Sequence, residues 1–401
     1  MAVPFRPWAI AAILLAGVAA FGPGLTSGFT SDDLHLIVER LPDYRRDFPL
    51  REAFTQGFWK GGGYGSLPGE EKDYYRPLVT LSYAADARIW GERPFGYHLT
   101  NLVLHLAAGL LVLQLLRRLG VSRGPALGGA LLFTAHPVHV TNVTWISGRT
   151  DLLCAVLLLA AYELLAGSID RRAGAATGRA PAGRTAAGLA LYILALLAKE
   201  MAIVLGGLLA LHVLLRRARG RHPWTEVAAV AGVTVAYFAF RATVLGLPDF
   251  AAGARSAEAP FRPGMLPAIL HWYWRGFLLP GTLQLVVPYA PVRTVGDPRL
   301  LMGAALLGGH VALAVLGLRR GRAAGLAAGW IVVSLIPVSH LVPLTFRAFV
   351  AEYWAYIPSI GFVALLASGL PWLAERLSER SSPGAIEPPA ADRERGSREA
   401  S

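Results

Sequence analysis

Two adjacent carboxylates, Asp32 and Asp33, directly follow an apolar N-terminal run. Such a carboxylate can take a proton from a hydroxyl as a general base, or ligate a divalent metal. Placed ahead of Leu34–Arg40, the same residues could equally cap a helix and favour its first turn. Lys199-Glu200 is the second signal, an adjacent cation and anion that interrupt an otherwise apolar stretch from 186 to 215. Ionisable residues at membrane depth are functional candidates because burying them is expensive. The plainer alternative is an interface turn with Lys199 snorkelling. His98, Asn101 and His105 recur at spacings of three and four, so one helix face carries them all. His136-Pro-Val-His139 offers a metal two ligands but no obvious third, and a polar turn between two helices accounts for it as well. Arg149 and Asp151 are spaced to close that turn with an ion pair. Arg76, and the Arg347 and Glu352 that precede the last apolar run, complete the charged candidates.

Membrane helices must position these groups. Of 401 residues, 54% are hydrophobic and 16% charged, too little charge for the surface of a soluble domain. Runs long enough to cross hydrocarbon, or nearly so, occupy 7–25, 97–116, 124–140, 152–166, 186–198, 201–215, 227–245, 300–318, 323–341 and 354–370. The expectation is an all-α polytopic membrane protein of about 10–12 transmembrane helices. The net charge of +12 does not indicate nucleic acid, because the arginines cluster in short loops between apolar runs. Arg117, Arg118 and Arg123, then Arg171, Arg172, Arg179 and Arg184, then Arg216 to Arg221, then Arg319, Arg320 and Arg322 mark cytoplasmic loops by the positive-inside pattern.

That assignment puts a large first loop, 26–96, outside the membrane, with the turns at 136–150 and 199–200 and the segment 246–298. Parity makes 260–298 an interfacial or re-entrant hairpin, with Trp272, Tyr273 and Trp274 suited to the headgroup layer. The first run reads as an uncleaved helix rather than a signal peptide. Cys154 is the single cysteine and has no intramolecular disulfide partner. The domain reading is one membrane bundle over 1–377 and a disordered cytoplasmic tail over 378–401.

Several motifs, in order, carry a resemblance: Thr30-Ser-Asp-Asp33, Tyr75-Arg-Pro-Leu-Val-Thr-Leu-Ser82, Phe95-Gly-Tyr-His-Leu-Thr-Asn101, His136-Pro-Val-His139 with Trp145-Ile-Ser-Gly-Arg-Thr-Asp151, Ala198-Lys-Glu-Met201 and Tyr356-Ile-Pro-Ser-Ile-Gly361. Together they resemble the membrane part of the TMTC-type O-mannosyltransferases and their bacterial relatives, glycosyltransferases of the GT-C fold. The resemblance implies a GT-C-like bundle that moves a hexose such as mannose, with inversion, from a polyprenyl-phosphate sugar to an acceptor hydroxyl. The reaction would take place at the outer, periplasmic or extracellular, side of a cell (inner) membrane.

It also implies that Asp32 or Asp33 is the base. Lys199 and Arg149, then Arg347, would hold the phosphate, and His98, His136, His139 and Glu200 would orient the sugar or these side chains. No cofactor is expected; a divalent metal would have to sit at Asp32 and Asp33. Members of the family often carry a tetratricopeptide array after the bundle. None follows here, which leaves the acceptor open between protein and glycan. Ala351-Glu-Tyr-Trp-Ala-Tyr356 departs from the family, where an Arg-Tyr pair follows the Glu. A transporter of polyisoprenoid or lipid-linked sugar, or a non-catalytic scaffold, are the competing readings. A transporter predicts inverted repeats, and none is visible.

Overall fold

The computed structural model describes residues 6–59, 74–174, 182–216, 223–246, 262–281, 284, 287–341 and 348–381, and every regular element among them is helical. α1 (Pro7–Phe21) begins on a proline, whose missing N–H costs nothing in a first turn, and continues as a 3-10 turn to Thr26. The first loop is itself helical. It holds a π-type turn at Leu34–Val38, the short helices α2 (Leu41–Arg46) and α3 (Leu50–Thr55), and α4 (Pro77–Trp90). α4 turns Val79, Tyr83 and Ala87 inward, on the spacing of a helix face.

The bundle follows as α5 (Pro94–Arg118), α6 (Arg123–Ala135), the single turn α7 (Val140–Val143), α8 (Arg149–Gly174), α9 (Ala182–Ala198), α10 (Leu205–Arg216), α11 (Thr225–Leu245), α12 (Arg262–Leu278), α13 (Pro298–Arg319), α14 (Ala323–Leu335) and α15 (Tyr356–Ser381). α8 lies at its centre, against α5, α9 and α10. α6 fits between α1, α5 and α15, and α12, α13, α14 and α15 pack in succession. Gly317 and Gly325 let α13 and α14 cross closely, since a Cβ on Gly317 would lie 2.6 Å from the Gly325 Cα.

Every apolar run read from the sequence falls on a helix, and five helical segments have the length and apolarity to cross a membrane: Pro7–Thr26, Pro94–Arg118, Ile146–Ala173, Thr225–Leu245 and Pro298–Arg319. The chain is an all-α, multi-pass membrane protein.

The shorter helices have local causes. α6 stops at Ala135 because His136 precedes a proline and is extended (φ −70°, ψ 127°). α14 stops before Ile336-Pro337. Between α9 and α10 the chain straightens at Lys199 (φ −161°, ψ 137°) and runs as a 3-10 turn through Glu200–Val204. Polar turns therefore reach into the bundle where continuous helices would have crossed it.

One end of the bundle gathers the arginine-rich loops. Arg118 of α5 pairs with Glu163 at 2.7 Å and Asp170 at 2.8 Å on α8, and Asp170 also takes Arg216 and His212 of α10. Arg172 meets Glu226 of α11 at 3.0 Å, and Arg184 donates to the Glu163 and Leu164 carbonyls. The C-terminal ends of α5, α8 and α10 thus share one side, as the common charge of the segments after them predicts.

Of the stretch read as an interfacial or re-entrant hairpin, residues 262–278 form a helix packed on α13, with Trp272 and Trp274 half-buried. Tyr273 is buried and donates to the Ala351 carbonyl at 2.7 Å, and Trp274 donates to His310 at 3.1 Å. Most of the expected tail, 382–401, lies outside the described residues.

Candidate active site

Five chain segments that are remote in sequence converge at the end of the bundle opposite the arginine-rich loops: the residues after α1, the approach to α4, the 136–148 turn, the 199–204 turn and the 348–355 turn. Asp33 ties the first of these to the third. It is fully buried; one oxygen accepts from the Ser147 backbone N–H at 2.8 Å and the Ser147 hydroxyl at 2.5 Å, and the other accepts from the Thr30 N–H at 3.1 Å. The acid therefore caps a distant turn rather than its own helix. Burial outweighs these hydrogen bonds and pushes its pKa up to about 6.

Asp32, its neighbour, is only half-buried. Ser31 beside it adopts φ 51°, a left-handed conformation uncommon for a residue with a Cβ. Strain of this kind persists where surrounding contacts enforce it, and the Asp33 anchor supplies those contacts.

Arg149 organises the third segment. It is fully buried and donates to Asn101 Oδ1 at 2.9 Å and the Tyr97 carbonyl at 2.9 Å, with Asp86 Oδ2 at 2.6 Å. Asn101 in turn donates to the Trp145 and Ile146 carbonyls, and Thr100 donates to Asp86 at 3.0 Å. The expected Arg149–Asp151 pair is not formed. Arg149 belongs to Asp86, and Asp151 belongs to Lys199 at 2.7 Å. With no exposed surface, Arg149 is not open to a phosphate without dismantling this lock.

Asp86 was not singled out from the sequence. The available signal was its place three residues after Tyr83 on the buried face of α4, where an acid has no reason to be unless paired. Arg149→Met is expected to cost about 3–5 kcal/mol by leaving Asp86 buried and unpaired, read as a fall in thermal midpoint. A wild-type midpoint in that variant would show the lock to be dispensable.

The other predicted residues divide by exposure. His98 is buried against the backbone of Ser27 and Gly28. His136 bonds the Phe277 carbonyl at 3.0 Å, and His139 bonds Ser359 at 2.9 Å. His105, on the same helix face as His98 and Asn101, bonds Tyr356 at 2.7 Å. His105, His136 and His139 thus tie segments remote in sequence to one another. Among the described residues, no group of three or more His, Cys, Asp or Glu side chains could hold a metal. Glu352 is buried, with one oxygen accepting from the Gln284 N–H and the other unpartnered. Arg347 lies outside the described residues.

Lys199 is buried rather than snorkelling, at 2% exposure, and its ammonium also sits 5.1 Å from the Tyr353 ring centroid. Arg76 and Glu200 pair at 2.8 Å, with side chains 11% and 36% exposed. Thus Asp32, Arg76 and Glu200, with Tyr74, Trp145 and Tyr353, show surface at this mouth, and the remaining candidates support them from beneath.

The chain is similar to several protein O-mannosyl-transferases. It is 37% identical to Protein O-mannosyl-transferase TMTC1 of Mus musculus over 165 residues, 40% of this chain and 17% of that one. It is 26% identical to Protein O-mannosyl-transferase Tmtc3 of Drosophila melanogaster over 449 residues, 91% of this chain and 46% of that one. Protein O-mannosyl-transferase TMTC4 of Homo sapiens is 29% identical over 169 residues, 39% of this chain and 22% of that one. The chain spans less than half the length of each of these relatives. No family model matches the chain, and no solved structure does.

Proposed function

We propose that this chain is an inverting glycosyltransferase on a GT-C-like scaffold, moving a mannose-type hexose from a polyprenyl-phosphate sugar to a hydroxyl of a protein or glycan acceptor. The observation that carries the reading is a single mouth. It combines a partly exposed carboxylate, Asp32, braced by its buried neighbour Asp33, with two cation–carboxylate pairs, Arg76–Glu200 and Lys199–Asp151. The similarity to named O-mannosyl-transferases over most of the chain supports it.

In this reading the mouth opens to the outer, periplasmic or extracellular, face of the cell membrane, since the arginine-rich loops lie at the other end. The donor keeps its prenyl tail in the bilayer and brings its sugar phosphate to the mouth. Asp32 accepts the proton of the acceptor hydroxyl. The hydroxyl oxygen attacks the anomeric carbon from the side opposite the phosphate. The carbon–oxygen bond to phosphate breaks, and the electron pair leaves with polyprenyl phosphate. Because that leaving group is already a weak base, no strong acid is needed, and cations suffice to hold the growing charge.

Arg76 takes the foremost place among those cations, since its partner Glu200 is a third exposed and can be displaced from it. Lys199 acts from behind the Tyr353 ring. Arg149 has the structural role described above, and Arg347 stays a further candidate.

The test is purified protein in lipid nanodiscs given a panel of radiolabelled polyprenyl-phosphate sugars with membrane extract. Label is expected to move to an acceptor from one donor, with the wild type and not with Asp32→Asn. A protein that binds none of these donors would sink the reading and leave transport or scaffolding.

A further inference from the structure

Trp145 and Tyr353 have no part in the chemistry above, yet both stand at the mouth. Their ring centroids are 5.9 Å apart and their planes are tilted by 52°. Both residues are half-buried, so each keeps surface in the mouth. Their backbones are pinned from behind. The Trp145 carbonyl accepts from Asn101 at 3.0 Å, and the Tyr353 carbonyl accepts from Asn142 at 2.9 Å. The Lys199 ammonium lies 5.1 Å from the Tyr353 ring centroid, so the wedge borders a proposed phosphate cation.

A further feature asks for a ligand. The Trp145 indole N–H is buried and has no hydrogen-bond partner. An indole nitrogen can only donate, and leaving a buried donor unmet is costly. An oxygen-rich guest would satisfy it.

We infer that Trp145 and Tyr353 form the seat of the donor hexose, the rings covering its C–H faces and the Trp145 N–H donating to one of its oxygens. Aromatic rings suit this guest, because a pyranose presents apolar C–H patches beside hydroxyls and an indole offers a flat apolar face beside one donor. The two rings are positioning residues; neither exchanges a proton in the reaction. The inference rests on the glycosyltransferase reading, and it separates sugar recognition from phosphate recognition, which falls to Arg76 and Lys199.

The experiment compares binding of a bare polyprenyl phosphate and its mannosylated form in nanodiscs. Trp145→Leu and Tyr353→Leu remove a ring but keep apolar bulk; Trp145→Phe and Tyr353→Phe keep a ring. Trp145→Leu is expected to bind the mannosylated lipid about tenfold more weakly and the bare lipid as the wild type does, which also shows it folded. Tyr353→Leu, whose ring also faces the Lys199 ammonium, is expected to lose more affinity for the mannosylated lipid than for the bare one. Tyr353→Phe is expected to bind both lipids normally. Trp145→Phe should show a smaller, sugar-specific loss from the missing N–H.

Hydroxyl-radical footprinting of the wild type gives a readout that needs no variant. Trp145 and Tyr353 should be protected by the mannosylated lipid and not by the bare one. Equal weakening or equal protection for both lipids would assign the wedge to the phosphate and overturn the inference alone. No difference between the Leu variants and the wild type would overturn it as well. A wild type that binds neither lipid would overturn it together with the reading beneath it.

Discussion

Asp32→Asn will lower sugar transfer by about a thousandfold, within the contribution of a well-placed general base, while thermal midpoint and donor affinity stay at their wild-type values. The amide matches the carboxylate in shape but cannot take the acceptor proton. Asp32 is half-buried where Asp33 is fully buried, so an amide of the same shape fits there without displacing the surrounding chain.

Asp33→Asn should behave differently. Its amide would face either the Thr30 N–H or the Ser147 donors, and one buried donor would lose its acceptor, costing about 1–3 kcal/mol. The pH dependence adds a signature. Because folding raises the Asp33 pKa to about 6, the folded state binds the proton more tightly than the unfolded one. This favours folding at low pH, and the advantage is lost as pH rises from about 4 to about 6. Asparagine has no such term, so the midpoint gap between wild type and Asp33→Asn should widen as pH falls from 6 to 4. Full turnover in Asp32→Asn, or a gap that stays flat across that window, would dissolve the division of labour between the two acids.

What was legible in the sequence follows from what is periodic or expensive. Apolar runs declared the helices, because hydrocarbon demands continuous apolar length. Lys199-Glu200 stood out because charge at depth is costly. Partnership was not legible. Arg149 and Asp151 sit two residues apart and seemed matched to each other, but on a helix that spacing turns them to different faces. Each found its counter-ion on another element, Asp86 of α4 and Lys199 between α9 and α10.

Nor could spacing tell Asp32 from Asp33. The difference lies in Ser147, 114 residues away from Asp33, whose backbone becomes a donor there only because the chain after Trp145 forms a 3-10 turn. That turn is tight enough that a Cβ on Gly148 would lie 2.5 Å from the Asn142 carbonyl oxygen. The contacts of the 262–278 helix were hidden for a related reason, since only the fold brings Tyr273 to the Ala351 carbonyl and Trp274 to His310.

The Lys199–Asp151 pair carries the second large expectation, because it mixes structure and chemistry in a way a double variant can separate. The two groups meet at 2.7 Å with side chains 3% exposed each. Lys199→Met alone would strand Asp151 and should cost about 3–5 kcal/mol, enough to unfold a marginal protein. Lys199→Met with Asp151→Asn removes both charges at once. It should regain most of that loss, since replacing a whole buried pair is often near neutral.

Chemistry should not return with stability. The cation above the Tyr353 ring would be gone, and affinity for polyprenyl phosphate is expected to fall about tenfold, the scale of one hydrogen bond to a charged group. The measurement is lipid binding in nanodiscs beside the thermal midpoint of each variant. A stable double variant with wild-type affinity would leave Lys199 as an internal strut and make Arg76 the phosphate cation at this mouth. A double variant as unstable as the single would mean that the pair holds the 199–204 turn in place by more than its charge, through the hydrogen bond itself.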